Sequence, residues 1–323
     1  MAHSAKPDVP DVILREVGLR DGLQIHPAFM ATDSKLAWIR AEAAAGMPEI
    51  EVTSYVPPKL IPQFADAEQV TTEALRIPGL TVAALIPNAR GAQRGIDLGV
   101  GKLNFVMSVS RTHNLKNVRR EREESVADFR NIRALCDQLP PERRPLLTGG
   151  LSTALGCSYE GRIPVDDVVR YAAMLAEAGA DELVVADTVG YAGPAQVREV
   201  FHRVMAEVGA LPVAAHFHDT RGLGLANVLA ALDRGVRAFD ASLAGLGGCP
   251  FAPGATGNIV MDDLCFLLAS MGLRTGVHLE KLLAVRAIVQ EALPDITMYG
   301  GVARAGLPRH YLPTGSQPVP AQA

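Results

Sequence analysis

Cysteine is scarce in this chain: there are four in 323 residues, and Cys136, Cys157, Cys249 and Cys265 lie far apart with no C-x-x-C pair among them. That spacing excludes a zinc knuckle and a disulfide-stapled secreted scaffold, and it predicts reduced thiols in a cytosolic compartment. Aromatics are also few, 5% with a single tryptophan, and neither sign of charge dominates, since 31 basic against 35 acidic side chains leave a net charge of −4. Without long basic runs interleaved with aromatics there is no electrostatic footprint for a nucleic-acid backbone or an anionic membrane surface. Long apolar runs are missing too. None approaches the ~20 residues that span a bilayer, and the opening MAHSAKPDVPDV has no charged segment followed by an apolar one. A cytoplasmic chain, neither exported nor membrane-inserted, is expected.

What the chain does have is a repeat. AAAGMPEIEV, DLGVGKLNFV, AEAGADELVV and DRGVRAFDAS share one grammar, in which a helix ends at a glycine (Gly46, Gly99, Gly179, Gly235) and a short strand follows. Glycine suits the left-handed residue that closes a helix, and the next apolar run begins a strand. Further strands are expected at Asp11–Val17, Leu80–Ile86, Pro145–Leu151 and Leu211–His218. Helical patterns separate them, among them Ser34–Ala45, Ser125–Gln138, Val165–Ala178 and Leu223–Asp233. Interleaved, these give eight β-α units with the repeat on every second strand, the phase of a (β/α)8 TIM barrel whose interior layers draw on alternate strands. An open doubly wound sheet would want G-x-G-x-x-G after the first strand, and VGLRDG lacks it. The expected organisation is a flexible N-terminus over 1–10, a catalytic barrel over 11–303, and a short C-terminal appendage with a disordered, proline-rich tail over 304–323.

Barrel enzymes carry their chemistry at the C-terminal ends of the strands. Those ends are polar here: Glu16 to Gly22, Glu51 to Ser54, Asp187-Thr188, and His216-Phe217-His218-Asp219-Thr220. His216 and His218 stand two apart on a strand, so both imidazoles face the same side, the spacing a metal ion needs. Asp21 is the natural anionic partner, its plainer role being a turn aspartate before Gly22. Imidazole and oxygen donors without thiolate suit Mg2+ or Mn2+, with zinc less fitting. After the last strand, residues 245–258 hold five glycines and two prolines in fourteen positions, a shaped loop able to act as a lid. Cys249 within it is either an inert small hydrophobe or a thiol activated by a nearby cation. Asn258 offers a neutral carbonyl ligand or an N-cap for a helix starting near Ile259.

The segments EVGLRDGLQ, IEVTSYVPPKLIPQFAD, LSTALGCSYEGR, AHFHDTRGLGLANVLAAL and AGLGGCPFAPGATGN, spread from Val12 to Leu293, resemble those of the 3-hydroxy-3-methylglutaryl-CoA lyase family. This family is a branch of the metal-dependent barrel superfamily that also holds the condensing synthases. The resemblance implies Asp21, His216, His218 and Asn258 as ligands of a divalent cation, Arg20 as the essential arginine, Glu51 and Asp187 as catalytic-site acids, His216 as a possible proton relay, and Cys249 as the loop thiol. It implies Gln24 and Thr188, with Arg20, as substrate-binding groups. The implied substrate is an acyl-CoA, the implied assembly a homodimer, and the implied setting leucine catabolism.

Some positions depart from the family pattern. Strand 6 reads Val184-Val185-Ala186-Asp187-Thr188-Val189-Gly190 where lyases read close to S-L-G-D-T-I-G. Ile25-His26 follow Gln24 where N-E is usual. Thr148-Gly149-Gly150 stand where several relatives carry a basic residue and an aromatic one. Such changes can retune the acyl group, towards citramalyl-CoA or a longer 3-substituted glutaryl-CoA. The basic segment Arg111 to Arg120 is either a contact for the CoA phosphates or a solvated loop and helix start. A Claisen-condensing transferase and a catalytically dead barrel are the competing functional classes.

Overall fold

The computed structural model describes residues 9–248, 257–309 and 311. Eight strands, β1 (Ile13–Glu16), β2 (Glu49–Ser54), β3 (Thr81–Ile86), β4 (Lys102–Ser108), β5 (Leu146–Ser152), β6 (Glu182–Asp187), β7 (Val213–Phe217) and β8 (Ala238–Ala241), form a closed barrel in chain order. Every pairing is parallel, and the ring closes where Ile13 to Glu16 of β1 lie beside Ala238 to Ala241 of β8. The repeat read from the sequence is the structural one. Gly46, Gly99, Gly179 and Gly235 adopt φ of 97°, 81°, 91° and 96°, and β2, β4, β6 and β8 each begin three residues later. A Cβ-bearing residue would be strained at each of these exits from a helix.

Helices stand outside the ring. Thr32–Ala44, Val165–Glu177 and Gly224–Leu232 fall within two residues of their expected bounds. Arg122–Asp137 begins earlier than its apolar pattern, because Glu121 and Glu124 form a reciprocal cap at its start. The inner faces of these helices and of Pro194–Val208 bury Trp38, Ile39, Phe129, Ile132, Tyr171, Leu175, Phe201 and Val204 against the strands. Each such side chain contributes about 1.5–3 kcal/mol on leaving water, which puts most of the apolar core between sheet and helices. The barrel interior is more polar. β1 carries Arg15 inward, and β2, β4, β6 and β8 carry Glu49, Lys102, Glu182 and Asp240, all joined by ion pairs.

After β8 come helices Met261–Ser270 and Leu279–Ala292, and the latter is anchored beside Thr32–Ala44 where the His278 N–H donates to Ala45 O at 2.7 Å. Arg304, the expected start of the appendage, lies within a short helix, Gly301–Ala305. Cys136, Cys157 and Cys265 are free and buried. Among the described residues no helix is long and apolar enough to cross a membrane.

Candidate active site

β1 runs straight into a π-helical turn, Gly18–Gly22, entered by the Asp21 N–H on Val17 O at 2.6 Å and closed by the Leu23 N–H on Gly18 O. Such wide turns are rare and recur at functional sites. Here the turn carries Arg20 and Asp21 over the mouth of the barrel. From β7, strand alternation sends His216 inward, and His218 follows on the same face, with the two Nε2 atoms 3.1 Å apart. Asp21 Oδ2 lies 3.4 Å from His218 Nε2 and 4.0 Å from His216 Nε2. One ligand atom from each of Asp21, His216 and His218 lies within 4.8 Å of the others.

Asn258 joins them from the far end of the glycine loop. Its backbone bridges to His218, and its Nδ2 donates to Asp21 Oδ2 at 2.7 Å and to Leu246 O at 3.0 Å. Its buried Oδ1 has no hydrogen-bond partner among the described residues. Two facing imidazole nitrogens, a carboxylate oxygen and an orphaned amide oxygen fit a divalent cation with mixed nitrogen and oxygen ligands. The N-cap alternative for Asn258 fails: the helix starts at Met261 and its N-cap is Val260. Gly247, at φ 127°, lets the loop pass so close that a Cβ there would stand 2.5 Å from Asn258 Nδ2 and 3.2 Å from Asp21 Oδ2.

The charges around these ligands are ordered. Burial works to raise the Asp21 carboxyl, but the Arg20 guanidinium beside it and the two histidines hold it well below the usual carboxylate range. Burial works to lower His216, and Asp240 together with Asp21 more than offsets this and lifts it above the ordinary histidine value. Asp240 Oδ2 stands 3.2 Å from His216 Nδ1, which leaves Nε2 to face Asp21. Arg20 donates through Nε to Glu51 Oε2 at 2.5 Å and through Nη1 to Asp21 Oδ1 at 2.7 Å. Glu51 is itself fixed, its Oε1 accepting from Asn104 Nδ2 at 2.8 Å. The guanidinium is thereby held in one plane at the edge of the candidate ion site.

Arg20, Asp21, Gln24, Glu51, Thr188, His216 and His218 all line one cavity of about 830 Å3. Thr188 Oγ1 also accepts the Thr153 N–H at 2.8 Å. Asp187 is not brought there. Val184 and Ala186 are the β6 residues that line the cavity, so alternation turns Asp187 away, and its carboxylate accepts the N–H groups of Tyr191 and Ala192 at 2.9 and 3.0 Å. Its placement is that of a buried turn-holding carboxylate outside the cavity lining, at a position the family resemblance implied as a catalytic-site acid. Cys249 lies outside the described residues. Thr148 and Gly150 stand on the cavity wall, and Lys116, Arg119 and Arg120, from the basic segment, also line it.

Sequence reasoning missed Asp240 and Asn104. Asp240 had a signal, since a lone acid next to last in an apolar strand points into the barrel on the same alternation that places His216. Asn104, flanked by apolar residues in mid-strand, had none.

The HMGL-like family model matches residues 11–289. A hydroxymethylglutaryl-CoA lyase of Bacillus subtilis is 41% identical over 282 residues, 87% of this chain and 93% of that protein. The mouse mitochondrial hydroxymethylglutaryl-CoA lyase is 38% identical over 278 residues, covering 86% of this chain and 84% of its own. Among solved structures, an HMG-CoA lyase from A. baumannii, in complex with coenzyme A and 3-methylmalate, superposes with a TM-score of 0.86 at 38% identity, covering 94% of this chain and 97% of its own. With the barrel, the converging ligands and these relatives together, the chain belongs to the HMGL-like family.

Proposed function

We propose that this chain is a divalent-cation-dependent carbon–carbon lyase that cleaves 3-hydroxy-3-methylglutaryl-CoA to acetyl-CoA and acetoacetate. The observation that carries the reading is the convergence of Asp21, His216 and His218 in one cavity, with Arg20 held beside them. The lyase names of the relatives and the coenzyme A bound to the A. baumannii protein support the substrate class. A cation held by Asp21, His216, His218 and Asn258 supplies Lewis acidity to the substrate hydroxyl.

The protein's own groups do the rest. The hydroxyl proton passes to a base of the site through His216 as relay, C3–O becomes a carbonyl as the C2–C3 bond breaks, and the electron pair passes to the thioester as an enolate. Arg20, permanently cationic and locked by Glu51, faces the charge that grows on the thioester oxygen, an effect worth about 3 to 4 kcal/mol for a well-placed donor. Cys249 then delivers a proton to the enolate carbon, behind a glycine loop that keeps water out. Gln24 and Thr188 orient the acyl group from the cavity wall, and Lys116, Arg119 and Arg120 meet the phosphates of CoA at the rim. Mg2+ or Mn2+ as the cation, a homodimer, a cytoplasmic setting and a role in leucine breakdown belong to the same reading.

One observation favours a wider acyl range. Gly150, Val184 and Ala186 make a small-residue, apolar stretch of the cavity wall, which gives room for citramalyl-CoA or for a longer 3-substituent. The deciding assay is acetyl-CoA release from a panel of 3-hydroxyacyl-CoA thioesters with Mg2+ or Mn2+, run beside condensation of acetyl-CoA with pyruvate or 2-oxoisovalerate. Cation-dependent cleavage supports the lyase; condensation alone would replace it with the transferase. No turnover, together with no cation-dependent gain in thermal stability, would favour the dead barrel.

A further inference from the structure

Barrel interiors are ordinarily filled by branched apolar side chains, yet this one buries a line of five charges. Lys102 Nζ stands 2.9 Å from Glu49 Oε1 and 2.6 Å from Glu182 Oε2. Arg15 Nη1 reaches the same Glu182 Oε2 at 2.7 Å, and its Nε reaches Asp240 Oδ1 at 2.7 Å. Asp240 in turn presents Oδ2 to His216 Nδ1. Taking ions out of water costs several kcal/mol each unless each finds its partner. The line is therefore tolerated only as a connected whole, and it ends on a histidine of the ion site.

Arg15 is the branch point. Its side chain is 4% exposed, and its guanidinium meets two carboxylates through two different nitrogens of one rigid plane, a directional arrangement that a lysine's single ammonium does not reproduce. One oxygen of Asp240 is ion-paired with the Arg15 guanidinium, without a hydrogen bond from Nε, while the other stands at His216 Nδ1 and orients the ring. A carboxylate or carbonyl behind a ligating histidine ordinarily fixes its tautomer and tunes its affinity.

We propose that Arg15 is a positioning residue for the cation site, acting through Asp240 to hold His216 Nε2 on the point shared with His218 and Asp21. The inference rests on the cation reading above and goes beyond it in assigning a role to a residue that ligates nothing.

The test is calorimetric titration of Mn2+ into EDTA-treated, full-length protein, with the thermal midpoint of each cation-free variant recorded in parallel. Arg15→Lys is expected to weaken Mn2+ binding about 10- to 100-fold, and so is Asp240→Asn. The double variant is expected to lose no more than Asp240→Asn alone, because the arginine acts through that carboxylate. A folded Arg15→Lys protein with affinity within twofold of wild type, its melting midpoint alone lowered, would reduce Arg15 to a structural ion pair and overturn the proposal. So would losses that multiply in the double variant. Should Arg15→Lys fail to fold, Asp240→Asn decides: undiminished affinity overturns the relay. Wild-type protein that takes up no Mn2+ removes this proposal and the cation reading together. Wild-type protein that binds Mn2+ but cleaves no acyl-CoA removes only the lyase reading.

Discussion

Adding a single methyl at Gly247 is the sharpest probe of how the glycine loop serves the ion site. At φ 127° an L side chain carries backbone strain of roughly 1–3 kcal/mol. The new Cβ would also stand 2.5 Å from Asn258 Nδ2, closer than two unbonded heavy atoms tolerate, so one of them must move. Asn258 is held by its bonds to Asp21 Oδ2 and Leu246 O, and each bond lost costs about 1 kcal/mol. The combined penalty is on the order of 2–5 kcal/mol, and every 1.4 kcal/mol that falls on the ligand set is a factor of about ten in affinity.

Gly247→Ala is therefore expected to weaken Mn2+ binding at least tenfold by calorimetric titration and to lower the melting midpoint by several degrees, at about 2–4 °C per kcal/mol for a domain near this size. Gly209→Ala supplies the control. Gly209 also has positive φ, 63°, but a Cβ there meets nothing within 4 Å, so this variant should lose stability and keep its cation affinity. If Gly247→Ala bound Mn2+ as tightly as wild type, the loop would not be packed on the ligands as described.

Arg20→Gln should depress kcat by about 10²–10³ and raise KM less, because its interaction is with developing charge; steady-state kinetics showing a pure KM effect would recast it as a binding residue. Cys249→Ala should cut turnover by orders of magnitude with an unchanged melting midpoint, and a near-normal rate would remove the thiol from the reaction. Behind the π-helical turn, burial first and then the charge of Glu16 push the Glu42 carboxyl well above its ordinary value of 4.5, so the native protein holds a proton that the unfolded chain releases near that pH. The stability this contributes is present at acid pH and lost as pH rises through the native value. Glu42→Gln should then melt progressively higher than wild type between pH 5 and pH 9, and parallel melting curves across that range would contradict the buried carboxyl pair.

The fold was legible because its punctuation is local. Four glycines at helix ends, each followed by a β-branched or apolar run, mark every second strand without any knowledge of what packs on what. The convergence of the three candidate ligands was legible for a similar reason: His216 and His218 declare a common face by their spacing, and Asp21 sits at a strand exit. Asp187 shows the limit of that logic, since a strand-end acid faces the cavity or the turn according to a phase that Val184 and Ala186 reveal only once the barrel is closed. Arg15, Lys102 and Glu182 were harder still. Lys102 and Glu182 open their strands and Arg15 is the third residue of β1; in the sequence each is indistinguishable from a solvated residue, and their pairing joins positions 167 and 80 residues apart.

The seam where β1 meets β8 has a temporal meaning. Asp21 arrives with the first strand, the histidines with the seventh, and Asn258 only after the eighth, so a growing polypeptide emerging from the ribosome possesses no complete coordination sphere until nearly four-fifths of it has been made. Under the proposed cation reading, capture of the ion would then be a late event in biogenesis, and a chain that held one would already have joined its beginning to its end.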